Sequence, residues 1–316
     1  MLLTRAIAGK LFYLVPVLLL VTLATTVLID LLPGDPAVTI LGLGATPEQV
    51  ARINAEYGFD RPFYERYAAW VSGAVVGDFG NSLVTSRPVI SEIAARLPVT
   101  IQLTVMALVL SVLLAIVLAL LASVKEGGWF DRVMTALSSG SMSVPSFVAA
   151  VVLVYIFAIV LGWAPVAGYR PLRDGLGPNL HFMALPVITM SLLETGFFYR
   201  ILRGDLATTL REDYILAARA KGLGRGYLLL RHALRPSLFS LMAMVGLSVG
   251  RLLGGTVIVE TFFAVPGLGQ LLVNSVTTLD IPVIQAAVAL IAIFYVLINA
   301  TVDVLYSVVD PRVKLR

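Results

Sequence analysis

The feature that most constrains this sequence is a series of long apolar runs that carry almost no charge. Residues 97–124, for example, are 28 consecutive uncharged residues between Arg96 and Lys125. A membrane-spanning helix needs about 20 mainly apolar residues. The sequence therefore predicts an all-α integral membrane protein with six transmembrane helices. They lie at about 9–31, 97–123, 135–161, 181–202, 236–260 and 283–307.

Composition and motif content argue against an enzyme. The chain is 59% hydrophobic and 13% charged, it has no cysteine, and its two histidines, His181 and His232, lie far apart. It contains no Gly-x-x-x-x-Gly-Lys-Ser/Thr phosphate loop, and its apolar runs hold no close carboxylate pair. We therefore predict that the chain has no catalytic residues, no metal site, no bound cofactor and no nucleic-acid partner.

The distribution of positive charge predicts the orientation in the membrane. If the N-terminus is cytoplasmic, 15 of the 23 Lys and Arg residues fall in cytoplasmic segments. Cytoplasmic loops carry the excess of Lys and Arg in most membrane proteins. The sequence thus predicts a multi-pass membrane protein with both termini in the cytoplasm.

One extracytoplasmic segment, about 33–96, is long enough to fold. Thr46, followed by proline and then by Gln49, is typical of a capped helix start, and Gly58 is suited to end that helix. A second helix is predicted from Pro62 to about Val75, with aromatic residues that suit a membrane surface. A structural lid and a docking surface both fit this pattern.

The longest cytoplasmic loop, about 203–235, contains the stretch YILAARAKGL at 214–223. Residues 207–220 favour a helix, with Asp205 or Thr208–Thr209 as its cap, and Gly222 and Gly224 are suited to end it. Its alanines form a face without bulky side chains, which another protein can approach closely. The residues alone favour a simpler reading, in which this is an ordinary positively charged loop.

Two features of the fifth apolar run suggest helix packing and a polar site. Gly246, Gly250 and Gly254 form overlapping G-x-x-x-G units, which allow a second helix to approach closely. Arg251 lies inside the same run, where a cation needs a partner or water. Glu194 is a candidate partner, whereas Glu260 lies beyond direct reach along the same helix. A water-lined translocation path or gate that involves these three residues and a structural ion pair both remain open.

Several stretches together resemble a known family. The segment EDYILAARAKGLGRGYLLLRHALRPSL is similar to the cytoplasmic signature loop of permease subunits of ATP-binding-cassette (ABC) importers, in particular the first permease of the dipeptide/oligopeptide/nickel branch. LLPGDP at 31–36, the segment 57–83 and GGTVIVETFFAVPGLGQLL at 254–272 resemble the same branch in the same order. The broader signature has Glu before the paired alanines, whereas Leu216 stands there in this chain. Glu212 and Asp213 are both candidates to supply that charge.

The resemblance implies a type I ABC importer permease fold. It implies three regions: a first helix with an extracytoplasmic helical segment at 1–96, a transmembrane domain at 97–309 and a cytoplasmic tail at 310–316. A coupling helix at about 207–222 would contact an ATPase subunit. Its contact residues would be Tyr214, Ala217, Ala218, Arg219, Ala220, Lys221 and Gly222.

The resemblance also implies an assembly, a location in the bacterial inner membrane and a substrate. The partners would be a second, homologous permease, two ABC ATPases that bind ATP and Mg²⁺, an extracytoplasmic substrate-binding protein and the lipid membrane. Di- or oligopeptides are the expected cargo, with nickel chelates, glutathione-like molecules and haem as alternatives. An ion-coupled secondary transporter is the alternative from another class.

Overall fold

The computed structural model describes residues 15–28, 36–41 and 44–309, and their regular structure is helical apart from one isolated bridge between Asn81 and Pro88. In chain order the α-helices are α1 (Val15–Leu28), α2 (Pro36–Leu41), α3 (Pro47–Tyr57), α4 (Phe63–Val75), α5 (Val89–Val124), α6 (Trp129–Ser143), α7 (Ser146–Leu153), α8 (Leu176–Thr209), α9 (Asp213–Ala220), α10 (Arg225–Tyr227), α11 (Leu234–Phe262), α12 (Leu268–Thr277) and α13 (Ile281–Val309). Wider π-helical turns continue α7 (Val154–Val160) and precede α11 (Leu228–Ala233).

Four helical segments in this part of the chain are long and apolar enough to cross a membrane. They are Val89–Val124, Leu176–Thr209, Arg225–Phe262 and Ile281–Thr301. The first predicted span, 9–31, corresponds to the shorter apolar helix α1, and its remaining residues lie outside the described part, as do most of LLPGDP and the predicted tail 310–316. The predicted division at 96/97 falls inside α5.

The third predicted span, 135–161, is not one continuous helix. Trp129–Ser143 and Ser146–Val160 meet at an angle of 111°, so they form a fifth span only as a bent pair. Pro145 has no N–H to donate, and the residue before a proline is forced away from helical angles. Val144 accordingly has φ −90° and ψ 120°, which breaks the helix. A continuous span was therefore the wrong prediction here.

The chain divides into two compact units, the first of which lies within Met1–Thr100 and Pro266–Leu297. Two of its predicted helices are confirmed. Thr46 and Gln49 form the predicted capping box at the start of α3, and Gly58 ends that helix with φ 70°. In α4, the Tyr67 hydroxyl donates to the Leu19 carbonyl at 2.8 Å, which ties this helix to α1.

A buried carboxylate holds the turn before α5 against the start of α13 within the same unit. Asp280 is 3% exposed and accepts hydrogen bonds from the Ser82 hydroxyl at 2.5 Å and from the Leu83 N–H at 3.0 Å. Apolar side chains surround this contact, among them Leu83, Ile281 and Ile284. Both donors are buried away from water, so Asp280 supplies the hydrogen-bond acceptor that they need.

The second unit, within Ile101–Val265 and Ile298–Arg316, is built on α8. In the most apolar window of this helix 67% of the residues are buried, compared with 28–39% in the other three long spans. It packs against α6, α7 and α11. At Gly196 the approach of α6 is so close that a Cβ would lie 2.9 Å from the Ser138 carbonyl oxygen and would also collide with the Ser141 hydroxyl.

We predict that Asp280→Ala loosens the turn at residues 82–87. The Ser82 hydroxyl and the Leu83 N–H would both lose their buried acceptor, at a cost of about 1–3 kcal/mol for each unsatisfied group. Limited thermolysin digestion of the detergent-solubilised protein should then cut faster before Leu83 and Val84, and thermal unfolding should begin at a lower temperature.

Asp174→Ala is the matched control for this carboxylate. The Asp174 side chain is 41% exposed and its ion pair with Arg173 lies at the surface, so its loss should change stability little. Equal cleavage rates before Leu83 and Val84 in the two variants would contradict the role assigned to Asp280.

Candidate transport and coupling sites

The connection between α8 and α10, residues 210–224, is here called the connecting segment. The coupling helix predicted at about 207–222 begins later than expected, because residues 207–209 are the last turn of α8 and α9 runs over Asp213–Ala220. The predicted caps, Asp205 and Thr208–Thr209, lie within α8, so that prediction was wrong. Extended backbone at Glu212 (φ −66°, ψ 145°) starts the new helix instead. Gly222, with φ +84°, follows its end as predicted.

A single buried side chain holds α9 against the rest of the second unit. Ile215 is the buried residue of this helix, and it belongs to the same apolar cluster as Leu210, Leu229 and Phe198. Of the predicted contact residues, Ala218 is half-buried. The others are exposed, namely Tyr214, Ala217, Arg219, Ala220, Lys221 and Gly222. The helix thus presents almost its whole surface while one residue anchors it.

That surface is acidic at its start, where Glu212 and Asp213 are exposed, and basic beyond the alanines. Burial raises the pKa of the Tyr214 hydroxyl above its ordinary value, and the negative charge of Glu212 adds to this rise. Tyr214 is therefore a neutral hydrogen-bond donor at physiological pH. Arg219 and Lys221 supply the positive charge beside the exposed alanines.

An ionic cluster beside the connecting segment was missed by sequence reasoning. Arg203 of α8 makes a two-pronged contact with Asp131 of α6, with Nε–Oδ1 at 2.9 Å and Nη2–Oδ2 at 2.7 Å. The Gly127 N–H also donates to Asp131, at 2.8 Å. Glu126 accepts from Arg211, in the connecting segment, at 2.8 Å and lies 4.0 Å from Arg203. One end of α6 and one end of α8 are thereby joined to the connecting segment.

Arg251 and Glu194, which the sequence suggested as partners, form a two-pronged ion pair. The guanidinium Nε and Nη2 donate to the two carboxylate oxygens at 3.0 and 2.9 Å, and Nη2 also donates to the Ser248 hydroxyl at 2.6 Å. The guanidinium carbon lies 4.6 Å from the centre of the Phe197 ring. Glu194 is 2% exposed in its side chain, whereas that of Arg251 is 48% exposed. The pair therefore shields its carboxylate and leaves part of its guanidinium open.

The remaining predicted residues of α11 occupy different environments. Glu260 is fully buried in the last turn of the helix, so it does not face open space in this conformation. Gly246 and Gly250 are buried, as close helix packing requires. Gly254 is exposed, and a Cβ placed on it would meet nothing within 4 Å. Of these three glycines, Gly246 and Gly250 are thus buried among the described residues and Gly254 is not.

Small residues before the bend in the third span line a cavity of about 490 Å³ between α5, α6 and α8. Ser138, Gly140 and Ser141 form one wall, and Leu114 and Leu118 form another. The stretch SSGSMS at 138–143 therefore contributes to a cavity, and that cavity is mainly apolar.

The described residues have the architecture of a multi-pass, all-helical membrane protein. Two family models match almost the entire chain. One, described as the N-terminal part of a binding-protein-dependent transport system membrane component, matches residues 2–104, and the other, described as a binding-protein-dependent transport system inner membrane component, matches residues 111–315.

Relatives match along the full length. One in Brucella abortus (strain 2308), whose name describes a peptide transport system permease protein, is 38% identical over 98% of this chain and 99% of its own. One in Sinorhizobium fredii, whose name describes a peptide ABC transporter permease protein, is 37% identical over 95% and 96%. The glutathione transport system permease protein GsiC of Escherichia coli K12 is 36% identical over 97% and 98%.

The chain belongs to the family of binding-protein-dependent transport system inner membrane components. It is thus a permease subunit of an ABC importer, and the resemblance identified from its four sequence stretches is confirmed. The all-α fold class is confirmed with it. As a transport permease, the chain is not in itself an enzyme.

We predict that Arg251→Met destabilises the second unit, because it leaves the buried Glu194 carboxylate without its counter-ion. The expected loss is up to about 3 kcal/mol, below the range for a fully buried pair because the guanidinium is half exposed. The double variant Arg251→Met/Glu194→Leu removes both charges and should recover the lost stability. Thermal unfolding in detergent measures both effects.

Arg200→Met is the control for loss of a cation alone, since Arg200 is exposed on the same helix as Glu194 and makes no ion pair in the described part of the chain. Its unfolding temperature should remain close to that of the parent. If Arg251→Met is as stable as Arg200→Met, the Arg251–Glu194 pair does not support the fold.

Proposed function

We propose that this chain is one of two homologous permease subunits of an ATP-driven importer of short peptides. The other components are two ABC ATPases, which bind ATP and Mg²⁺, and an extracytoplasmic substrate-binding protein. The observation that carries this proposal is α9, a short helix anchored by Ile215 and otherwise open to a partner. Peptide is favoured as cargo because two of the relatives described above are named for peptide transport. Glutathione, named for the third, is a tripeptide and falls within the same chemical class.

The connecting segment is the proposed contact with an ATPase. A surface of Ala217, Ala218 and Ala220 lets a groove approach the helix backbone, and Arg219 and Lys221 provide charge for an acidic rim. ATP must bind one conformation of the complex better than the other, since a ligand shifts a conformational equilibrium only through such a difference. The chain then forms part of the translocation path and transmits the motion of the ATPases to it. Hydrolysis of ATP takes place in the ATPases.

The Arg251–Glu194 pair is proposed to lie on the translocation path. Its half-exposed guanidinium presents a polar edge within an otherwise apolar helix, and charged residues in membrane helices usually face the bundle interior or a water-filled cavity. The stable double variant described above tests this. Assembly with loss of peptide uptake supports a pathway role, and unchanged uptake leaves the pair with a structural role alone.

Two substitutions on α9 should uncouple ATP hydrolysis from transport. Ala218→Trp adds a bulky side chain to the small-residue face, and Arg219→Glu reverses a charge that meets the partner. In proteoliposomes that contain the complete importer, each should reduce peptide uptake per ATP hydrolysed at least about ten-fold, as expected for loss of a contact worth about 1.4 kcal/mol.

Arg173→Glu is the matched charge reversal, on an exposed residue (87% exposed side chain) outside the connecting segment. Its uptake should equal that of the parent. Unchanged coupling in both α9 variants would end the proposal that this helix contacts the ATPase. Uptake by the purified chain alone, driven by an ion gradient, would instead support secondary transport.

The proposed orientation places both termini and the connecting segment in the cytoplasm. Because the chain has no cysteine, single-cysteine variants report one position each. Glu212→Cys, at an exposed position outside the alanine face, should react with a membrane-impermeant maleimide in inverted inner-membrane vesicles, and Asp174→Cys should react in spheroplasts. The reverse labelling pattern would show that the orientation is inverted.

A further inference from the structure

The ionic cluster beside the connecting segment has two arms of different strength. The Arg203–Asp131 arm is two-pronged and mostly shielded, with side chains 12% and 10% exposed. The Gly127 N–H and the Tyr199 hydroxyl, at 2.8 and 3.4 Å, also donate to the Asp131 carboxylate. The Arg211–Glu126 arm is a single contact, with side chains 75% and 37% exposed. Buried, multiply bonded pairs hold a fixed geometry, whereas exposed pairs break and re-form readily.

We propose that Glu126, Asp131, Arg203 and Arg211 form an ionic linkage that moves α6 together with the connecting segment. This inference rests on the proposed function, since it assigns the step that follows contact between α9 and an ATPase. The four residues are assigned as positioning residues, because they act through their contacts with one another. Arg211 lies two positions before α9, so a displacement of that helix is transmitted to Glu126 directly.

The packing of α6 makes it suited to such a movement. Seven residues beyond Asp131, about 10 Å along the helix, the Ser138 carbonyl lies against Gly196 of α8. There the two helices are in backbone contact, so α6 is joined to α8 both at this point and through the Asp131–Arg203 arm. The bend at Pro145 then separates α6 from the next helical segment by 111°. Joined to α8 at two points and set off from the next segment by the bend, α6 can follow the connecting segment as one body with the neighbouring part of α8, without unfolding.

Spin labels can measure whether α6 and the connecting segment move together. Arg132→Cys and Glu212→Cys place labels on two exposed positions, one on α6 and one at the start of α9, in an otherwise cysteine-free chain within the complete importer. With the linkage intact, the distance between the labels should be the same in nucleotide-free and ATP-trapped complexes. In Glu126→Gln and Asp131→Asn it should differ between the two states.

The same variants should also show a defect in the coupling of ATP hydrolysis to transport. Uptake per ATP hydrolysed should fall about two- to five-fold in Glu126→Gln, the factor that corresponds to an exposed ion pair of ordinary strength. The fall should be greater in Asp131→Asn, which disrupts the shielded arm. Glu126 is a surface residue, so its variant remains informative if Asp131→Asn fails to assemble. Asp174→Asn, which neutralises a carboxylate outside the linkage, should match the parent in both measurements.

The measurements distinguish loss of the ionic linkage from loss of the proposed function. If the parent importer couples ATP to uptake but Glu126→Gln retains both the parent coupling ratio and a constant label distance, the linkage is overturned and the function stands. A parent label distance that changes with ATP also overturns it. If ATP drives no uptake in the parent importer, the proposed function itself fails.

Discussion

Burial of α8 is the constraint on which the second unit depends. In a membrane, helices satisfy their own backbone hydrogen bonds, so side chains decide which helices lie inside the bundle. This helix presents two different polar contacts to its neighbours. Glu194 meets Arg251 of α11, while Gly196, Tyr199 and Arg203, at helical spacing, face α6. Because a single helix positions both the central ion pair and the ionic linkage, a shift in its packing would affect both.

Local signals predicted the parts of this fold that depend on neighbouring residues. The capping box at Thr46 and the left-handed Gly58 were predictable because each depends on a few adjacent positions. The apolar runs located the long helices for the same reason. The bend at Pro145 had its cause in the sequence, but an apolar run of that length also fits a straight helix. The place where the chain changes direction is visible in the packing of α6 against α8 and not in the sequence.

The ionic contacts were harder to predict from the sequence, because their partners are distant in the chain. Arg251 needed a partner on physical grounds, and Glu194 was one of the few carboxylates within an apolar run, so that pair could be suggested in advance. Asp131 and Arg203 lie near the ends of their helices, where charged residues are ordinary. Nothing in their spacing indicates that they meet across 72 positions. The start of α9 was misplaced for a related reason, since residues 207–212 favour a helix and only tertiary packing decides which helix includes them.

The connecting segment combines weak anchoring with a direct route to the rest of the unit. Its helix is held by Ile215 among apolar neighbours, and its charged flank reaches Glu126 through Arg211. A helix fixed by many buried residues would resist displacement, and one without charged contacts would move alone. Exposing one buried isoleucine costs little free energy, on the order of 1.5–3 kcal/mol. This cost is within the range of typical coupling free energies. Displacing the segment would thus cost an amount of free energy that the proposed ATPase contact can supply, and its charges first reach Glu126, just before α6.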